Sequence, residues 1–338
     1  MNCENNIFEL FAEEFDLNEQ IARYRGTKQT FYLNLVRKAT GDWIKIPVML
    51  VSGAKDGKLL LADACCHGDE YEGAEGIIAT FHNLNPADME GAFVGIPAVN
   101  LDAFGAMNRY SADDFVPVDM NRAFPGNETG TATDYLSHFY FNHFIKKADG
   151  LITMHGGGNT LYLTPVVCYP KQEDEVSEMS QKMAWAMNFD VAWEDIDINA
   201  SYGLMDQNTY LSGIPVVTAE IGGQSVRHFR REEDIARIRN GLENVMRLFR
   251  ILPGEAVKYT PEYRVNLTYL YSNHGGIHKP LKKDRDRFRK GEILSEITDI
   301  FGNRLETVRA PFDGVVVGYL AYSVVHPKSW IYLIGKEV

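Results

Sequence analysis

Short apolar runs that alternate with segments of helical spacing constrain the fold of this chain more than any other feature. Apolar runs of strand type occupy residues 31–36, 43–51, 59–66, 93–99, 150–154, 161–169 and 214–219. Helical spacing occurs at residues 71–81, 134–148, 173–188 and 231–252. Strands that alternate with helices in this way predict a three-layer α/β domain. Residues 7–15 are predicted to be partly helical, and residues 54–57 to form a turn.

The character of the sequence changes after Pro253-Gly254. From about residue 256 onwards, short alternating runs replace helical spacing. Turn signals recur at Gly275-Gly276, Lys290-Gly291, Phe301-Gly302-Asn303 and Phe312-Asp313-Gly314. We therefore expect two domains, an α/β domain at residues 1–255 and a small all-β domain at residues 256–338.

Charge and composition limit the classes of function. The 338 residues carry a formal net charge of −12, and nothing in the sequence supplies a broad basic surface for nucleic acid. The densest basic run, residues 282–290, is interrupted by acids and is interpreted as a solvated strand face. No apolar stretch is long enough to span a membrane, and the first residues lack the features of a secretory signal. Four cysteines, two of them adjacent, favour reduced thiols and a cytoplasmic location.

Polar residues of catalytic type stand where four of the apolar runs end. They are His67 with Glu70, the loop at residues 109–122, His155 and Glu220. Open α/β sheets place their binding sites at the carboxyl ends of their strands. Residues that are far apart in sequence are therefore expected to meet at one edge of the sheet.

His67 and Glu70 lie three residues apart where an apolar run gives way to a helix, so both side chains can face the same way. A neutral imidazole and a carboxylate in that arrangement can bind one divalent ion, and zinc is the best candidate by ligand type. His155, followed by three glycines, would complete a His, Glu, His set with a fourth position open for water, as in catalytic zinc sites. The alternatives are a surface His67 beside a helix-capping carboxylate, and a His155 that bonds only to backbone.

Other polar residues suit the chemistry of hydrolysis. Glu220 ends a buried run, where a carboxylate is costly unless it is paired or useful. Near a water activated by a metal it would accept a proton and later donate it to a leaving amine, and an ion-paired structural role is the alternative. The planar fork of Arg122 suits a substrate carboxylate, and Asn121 adds a neutral donor. Arg109 could stabilise an oxyanion, and Asp119 could orient a metal-binding imidazole.

These motifs together resemble the zinc carboxypeptidase superfamily, and more closely its succinylglutamate desuccinylase/aspartoacylase branch. The likeness covers roughly residues 40–250. It rests on His67-Gly68-Asp69-Glu70, Arg109, Asp119-Met120-Asn121-Arg122 with Phe124-Pro125-Gly126, His155 and Glu220, in the family's order. It implies a mixed sheet in a three-layer zinc-carboxypeptidase-like domain. Residues 310–315 resemble a barrel-sandwich (lipoyl-like) hairpin that lacks the carrier lysine, so the C-terminal domain is expected to be barrel-sandwich-like.

The resemblance also implies a role for each site residue. The implied ligands of one Zn²⁺ per chain are His67, Glu70 and His155. The implied catalytic residues are Glu220, as general base and acid, and Arg109, on the scissile carbonyl. The implied substrate-binding residues are Asn121 and Arg122, on a carboxylate, with Asp119 behind His67. The position two residues before the third ligand, often Asp in relatives, is Thr153 here. A substrate-side tyrosine is not identified, and its candidates are Tyr162, Tyr202 and Tyr210.

We therefore predict a zinc-dependent hydrolase that cleaves the amide bond of a small, carboxylate-bearing N-acyl amino acid. A zinc metallocarboxypeptidase acting on short peptides would use the same centre, and the motifs do not separate the two. A non-catalytic metal-binding homologue is a third alternative, against which the complete set with Glu220 argues. A cysteine hydrolase based on Cys66 is weaker because that residue is expected to be buried, and no Gly-x-Ser-x-Gly elbow indicates a serine hydrolase. Neither nucleic acid nor a membrane is an expected partner, and homo-oligomer formation is left open.

Overall fold

Most strands and helices lie where the alternation of the sequence predicts them. The structure, a computed structural model, describes residues 7–194, 203–223 and 227–338. Its strands are β1 (Phe8–Phe11), β2 (Lys28–Arg37), β3 (Trp43–Ser52), β4 (Lys55–Ala64), β5 (Glu90–Ile96), β6 (Gly150–His155), β7 (Leu161–Cys168), β8 (Val191–Trp193), β9 (Val216–Gly222), β10 (Tyr263–Tyr271), β11 (Gly276–Pro280), β12 (Arg287–Phe288), β13 (Ile293–Thr298), β14 (Arg304–Arg309), β15 (Gly314–Leu320), β16 (Val324–Val325) and β17 (Trp330–Glu337).

The helices are shorter in total than the strands. They are α1 (Leu17–Arg23), α2 (Glu72–Asn83), α3 (Leu101–Gly105), α4 (Ala132–His143), α5 (Glu175–Ala186), α6 (Met205–Leu211) and α7 (Arg227–Leu248). Single 3-10 turns lie at Ala12–Glu14, Pro86–Asp88, Met120–Arg122 and Ile145–Lys147. Among the described residues, no helix combines the length and the apolar character that crossing a membrane requires.

One 13-stranded mixed sheet forms the centre of the described structure, in the order β1-β2-β3-β5-β4-β6-β9-β7-β8-β10-β17-β15-β12. Three neighbouring strands in its middle, β4, β6 and β9, run parallel. β5 is parallel to β4 but antiparallel to β3, and β7 is antiparallel to β9. The carboxyl ends of β4, β6 and β9 therefore meet at one edge of the sheet, which is where the sequence predicts the site.

Alternate residues of the central strands pack into two hydrophobic clusters, one on each face of the sheet. On β4, Leu60 and Ala62 belong to one cluster, while Leu59 and Leu61 belong to the other. Helices α2, α5 and α7 pack into the first cluster, and α4 packs into the second. Burying one such leucine fully contributes about 1.5–3 kcal/mol relative to leaving it exposed. Packing on both faces therefore holds the strand ends, and the residues that follow them, in fixed positions.

The C-terminal region is rich in β structure, as predicted, and joins the rest of the sheet at two places. β10 pairs with β8, and β15 pairs with β7. Together with the pairs β10–β17, β15–β17 and β7–β8, these contacts close a circuit of five strands. Val166, Val265, Val315 and Leu333 belong to a hydrophobic cluster that these strands share. Strands β10, β12, β15 and β17 thus extend the same sheet, whereas the other strands of the region form a separate four-stranded sheet in the order β14-β13-β11-β16. The boundary between residues 255 and 256 stays a prediction.

Two local predictions are wrong in part. Residues 8–11 were expected within a partly helical segment but form β1, because they pair in parallel with β2, a partner about twenty residues away along the chain. Residues 55–57, expected in a turn, begin β4, where Lys55 is the register partner of Glu90. The short elements β8 and α6 were not predicted. In each case a contact with a distant segment, not the local residue pattern, decides the conformation.

Candidate active site

Three parallel strands carry the predicted ligands and the predicted acid–base residue to one edge of the sheet. β4 ends at Ala64, three residues before His67. β6 ends at His155, and β9 runs through Glu220. His155 and Glu220 are register partners in neighbouring strands, so residues 65 positions apart lie side by side.

The turn between β4 and α2 brings His67 and Glu70 together. Cys65, the first residue after the strand, has a φ of 52°, in the left-handed region that turns commonly use. Gly68 packs against α3, and a Cβ atom there would lie 2.0 Å from the carbonyl carbon of Ala103. Since any other residue would collide with that backbone, glycine is required between the two predicted ligands.

The side chains of His67, Glu70 and His155 converge on one point. Nδ1 of His67 lies 3.0 Å from Glu70 Oε1, and Nδ1 of His155 lies 2.8 Å from Glu70 Oε2. The two Nδ1 atoms are 3.2 Å apart. All three residues are buried, with exposed fractions of 3%, 7% and 4%. One ligand atom from each residue lies within 4.8 Å of the others, so the group can hold a metal ion. Two imidazole nitrogens and a carboxylate are ligands that zinc accepts.

The electrostatics of this group favour positive charge. Burial opposes ionisation of Glu70, but His67 and His155 hold the pKa of its carboxyl well below the usual range. Burial likewise opposes a charge on His155, yet Glu70 raises the pKa of that imidazole to about 9. A divalent cation can supply this positive charge in place of the imidazole protons.

Asp119 supports the group from behind, as the resemblance implies. Its Oδ1 lies 2.9 Å from Nε2 of His67 and also accepts a hydrogen bond from the backbone N–H of Asn121. Its Oδ2 accepts from Nε and Nη2 of Arg109, at 3.2 and 2.9 Å. Burial opposes the charge, but the hydrogen bond from His67 keeps the pKa of Asp119 below its usual value. An Nε2–H that donates to Asp119 leaves Nδ1 of His67 free to bind a metal.

Arg109, predicted to be catalytic, and Asn121, predicted to bind substrate, lie beside this group. Arg109 Nη1 is 3.8 Å from Glu70 Oε1. Asn121 Nδ2 is 3.4 Å from Nε2 of His155, on the side away from Glu70. Arg122 is exposed, and its Nη1 donates to the carbonyl of Asn121 at 2.7 Å. The structure thus places Arg109, Asp119 and Asn121 beside the converging side chains and Arg122 next to Asn121, and their contacts with substrate stay predictions.

Helix α6 was not predicted, and it holds the segment that carries Asn121 and Arg122. The backbone N–H of Met205 donates to Asn121 Oδ1 at 3.0 Å. Gly203 has a φ of +89°, and a Cβ there would lie 2.1 Å from the carbonyl oxygen of Arg122. Asp206 accepts a hydrogen bond from Thr218, two residues before Glu220 on β9. The helix therefore links the predicted substrate loop to the strand of the predicted acid–base residue.

The protein environment disfavours the ionised form of Glu220. Burial raises its pKa to about 7, even though the charge on His155 acts in the opposite direction. At neutral pH such a carboxyl group is present in both protonation states. It can therefore accept a proton in one step and donate it in another.

Tyr269 is a candidate site residue that the sequence analysis missed. It lies on β10 with 42% of its surface exposed, and partial burial together with the charge of Glu220 raises the pKa of its hydroxyl. Among the tyrosines proposed from the sequence, Tyr162 hydrogen-bonds to Arg230 and Asp284, and Tyr210 to Asp174. Tyr202 lies outside the described residues. No local signal marks Tyr269, because the circuit of strands that brings β10 to the site is a tertiary feature.

Cys66 is buried, as expected, with no exposed surface. Burial and the neighbouring carboxylates raise the pKa of its thiol well above the usual range. A nucleophilic cysteine needs a depressed pKa and access to substrate. The cysteine hydrolase alternative therefore has no support at this position.

Comparison with known proteins gives a family and several relatives. Residues 56–249 match the model of the succinylglutamate desuccinylase/aspartoacylase catalytic domain. An N-alpha-acetyl-L-2,4-diaminobutyric acid deacetylase from Halomonas elongata is 24% identical over 305 residues, which cover 87% of this chain and 86% of that protein.

Solved structures with the same fold include two bacterial proteins. A succinylglutamate desuccinylase from a Silicibacter species is 25% identical with a TM-score of 0.81, over 92% of this chain and 95% of that one. The product-bound ectoine utilization protein EutE from Ruegeria pomeroyi is 23% identical with a TM-score of 0.81, over 91% of this chain and 94% of that one. The second likeness concerns the fold alone.

Proposed function

Because this chain belongs to the succinylglutamate desuccinylase/aspartoacylase family, we propose that it is a zinc-dependent amidohydrolase that releases an amino acid from its N-acyl derivative. The observation that carries the proposal is the buried convergence of His67, Glu70 and His155, with Glu220 on the adjacent strand. One relative is named a deacetylase and another a desuccinylase, and both names support an amide bond as the bond that is cleaved.

The three converging side chains would hold one zinc ion per chain. Their donor types fit this ion, and Asp119 supports the fit because it fixes which nitrogen of His67 faces the group. When zinc is bound, it lowers the pKa of water from about 15.7 towards roughly 7 and polarises the substrate carbonyl.

Glu220 would move the proton. With a pKa of about 7, its carboxylate can accept a proton from water as the C–O bond forms. The protonated carboxyl can then donate to the amide nitrogen as the C–N bond breaks, so the amine leaves in neutral form. A carboxyl group of unperturbed acidity would be a weaker acid–base catalyst at neutral pH, and burial is the cause of the difference.

Arg109 and Arg122 would orient the two ends of the substrate. Asp119 binds Nε and Nη2 of Arg109 and leaves Nη1 directed towards Glu70, where it can donate to the carbonyl oxygen. Arg122 is exposed beside Asn121, so a substrate carboxylate can reach both donors. These contacts would account for a preference for N-acyl amino acids over amides without a carboxylate.

The C-terminal region supports a small substrate. The charge of Glu220 raises the pKa of Tyr269 on β10, from which we infer that this side chain of the C-terminal region lies near the predicted acid–base residue. Such a neighbour narrows the space beside the predicted acid–base residue and disfavours a long peptide. We also propose the finer architecture, a three-layer zinc-carboxypeptidase-like domain and a barrel-sandwich-like C-terminal domain, on the basis of the two clusters and the five-strand circuit.

The test is metal content of the purified protein, combined with hydrolysis of N-acetyl amino acids, N-succinyl amino acids and dipeptides before and after chelation. We expect about one zinc per chain and chelator-sensitive release of a free amino acid from an N-acyl substrate. Hydrolysis of dipeptides alone would replace the deacylase with a carboxypeptidase. A protein that binds no metal would overturn the grouping of His67, Glu70 and His155.

A further inference from the structure

A second carboxylate lies buried behind the candidate metal centre. Asp63 is on β4, four residues before His67, and has no exposed surface. Its register partner on β6 is Thr153, two residues before His155. Asp63 and Thr153 thus lie side by side on two neighbouring strands, one of which precedes His67 while the other ends at His155.

Both oxygens of Asp63 accept a hydrogen bond. Thr153 Oγ1 donates to Oδ1 at 2.8 Å, and the hydroxyl of Tyr140, on α4, donates to Oδ2 at 2.8 Å. Thr153 and Tyr140 are themselves buried, with exposed fractions of 1% and 0%. Hydrogen bonds among the three side chains thus connect β4, β6 and α4 next to the candidate site.

Hydroxyl groups and His155 are the groups that act on the charge of Asp63. In the parts of the chain that the structure describes, no lysine or arginine forms a salt bridge with it. Burial raises its pKa to about 6, and the hydroxyls of Thr153 and Tyr140 act in the opposite direction, so the ionised form dominates above neutral pH. His155 is the positive group whose charge acts on it, and Asp63 in turn favours positive charge on His155.

A buried carboxylate with two neutral donors costs free energy that an apolar residue would avoid. Such a group is retained more readily where its charge is useful. The negative charge of Asp63 would attract the divalent cation that His67, Glu70 and His155 would hold. Asp63 contributes this negative potential from the side of the site where β4 and β6 lie.

We propose that Asp63 is a positioning residue of the metal centre, which sets the spacing of the strands that carry His67 and His155 and whose negative charge strengthens cation binding between them. The inference rests on the metal role proposed above. The carboxylate that we assign to the support of His155 is therefore Asp63 on β4, which lies opposite Thr153 on β6.

The test compares the affinity for Zn²⁺ of the wild type and Asp63→Asn at pH 7.5, by competition with a chromophoric chelator. Asparagine keeps the shape, can accept from Thr153 and can donate to Tyr140, so both neighbours keep a hydrogen-bond partner although the bond with Tyr140 is reversed and the charge is lost. We expect Zn²⁺ to bind about 10- to 100-fold more weakly, with little change in the Tm of the metal-free protein. Affinity within two-fold of the wild type would overturn the proposal.

A matched control and a rescue make the result specific. Asp234, on α7, is also buried, and burial raises its pKa to about 6, but it faces Arg230. Asp234→Asn should leave Zn²⁺ affinity unchanged. The exchange Asp63→Thr with Thr153→Asp returns a carboxylate to the same pair of positions and should recover most of the lost affinity. A folded exchange variant that binds as weakly as Asp63→Asn would contradict a role for the charge.

The same titration separates this inference from the proposed function. A wild-type protein that binds no Zn²⁺ would overturn both, since no metal centre would exist for Asp63 to support. A wild type that binds Zn²⁺, with Asp63→Asn unchanged, would overturn only the role of Asp63 and leave the proposed ligands standing.

Discussion

Asp119 joins His67 to Arg109, because its Oδ1 lies 2.9 Å from Nε2 of the imidazole while its Oδ2 accepts from the guanidinium. One carboxylate therefore orients a proposed metal ligand and a proposed substrate-binding cation at once. His67 and Arg109 are 42 positions apart in the sequence, and Asp119 contacts both of them. Binding of metal and orientation of substrate are consequently expected to respond together when this carboxylate changes.

The first prediction concerns Asp119→Asn. The amide cannot accept on both sides, so either His67 or Arg109 loses its partner. We expect Zn²⁺ to bind about 10- to 100-fold more weakly and kcat/KM to fall as well. Metal competition and steady-state kinetics measure the two effects. Asp88→Asn, an exposed carboxylate in a 3-10 turn, is the control. Unaltered metal affinity in Asp119→Asn would contradict the orienting role.

The second prediction concerns Glu220→Gln. Glutamine has nearly the same shape but cannot accept or donate the proton, so kcat is expected to fall by about 100- to 10,000-fold. Zn²⁺ content should remain that of the wild type, because Glu220 is not among the three converging side chains. Metal analysis and single-turnover assays of the same preparation give both numbers. Full activity in this variant would remove Glu220 from the mechanism.

The third prediction concerns Tyr269→Phe. We expect this hydroxyl to donate to a charged group of the substrate, so its loss should lower kcat/KM by about 10-fold or more, since such hydrogen bonds contribute roughly 1.5–3 kcal/mol. Zn²⁺ affinity should not change. Tyr271→Phe, two residues further along β10 and 56% exposed, is the matched control. If both variants retain wild-type kinetics, the C-terminal region has no polar role at the site.

The fourth prediction concerns stability against acid. His278, on β11, is 3% exposed, and neither ring nitrogen has a hydrogen-bond partner among the described residues. Burial lowers its pKa to about 4, from about 6.5 in an unfolded chain. The neutral ring is therefore the form that the fold accepts. The stability that this residue contributes should be complete above pH 6.5 and fall as the pH decreases, by about 2 kcal/mol at pH 5 and about 3 kcal/mol at pH 4.

Urea unfolding at pH 7.5 and pH 5 measures this effect. His278→Leu cannot take up the proton, so its loss of stability between the two pH values should be smaller than that of the wild type. His326→Leu, at an exposed position, is the control and should lose as much stability as the wild type. An identical pH dependence in all three proteins would show that His278 does not contribute.

Much of the candidate site could be predicted because its signals are local. His67 and Glu70 are three residues apart in one turn, so their convergence needs no knowledge of distant segments. The positions of His155 and Glu220 followed from a general rule of topology, since parallel strands in an open α/β sheet end at the same edge. Short continuous apolar runs likewise predicted β4, β6 and β9.

Other features depend on contacts that no short segment encodes. β1 forms because it pairs with β2, and Tyr269 reaches Glu220 because β10 joins a circuit with β8 and β17. The bond between Asp63 and Thr153 depends on the register of β4 against β6, which a shift of one residue would abolish.

The sequence by itself therefore determined the α/β character of the chain, the converging His, Glu, His set and the family to which the chain belongs, because periodicity and short motifs are properties of neighbouring residues. The sequence already implied Asp119 behind His67, but only the tertiary structure decided that Asp63 accepts a hydrogen bond from Thr153 next to the site. It also decided which tyrosine approaches Glu220. The physical reason is that strand register and the closing of distant loops depend on packing over the whole core, and packing couples residues that local sequence leaves independent.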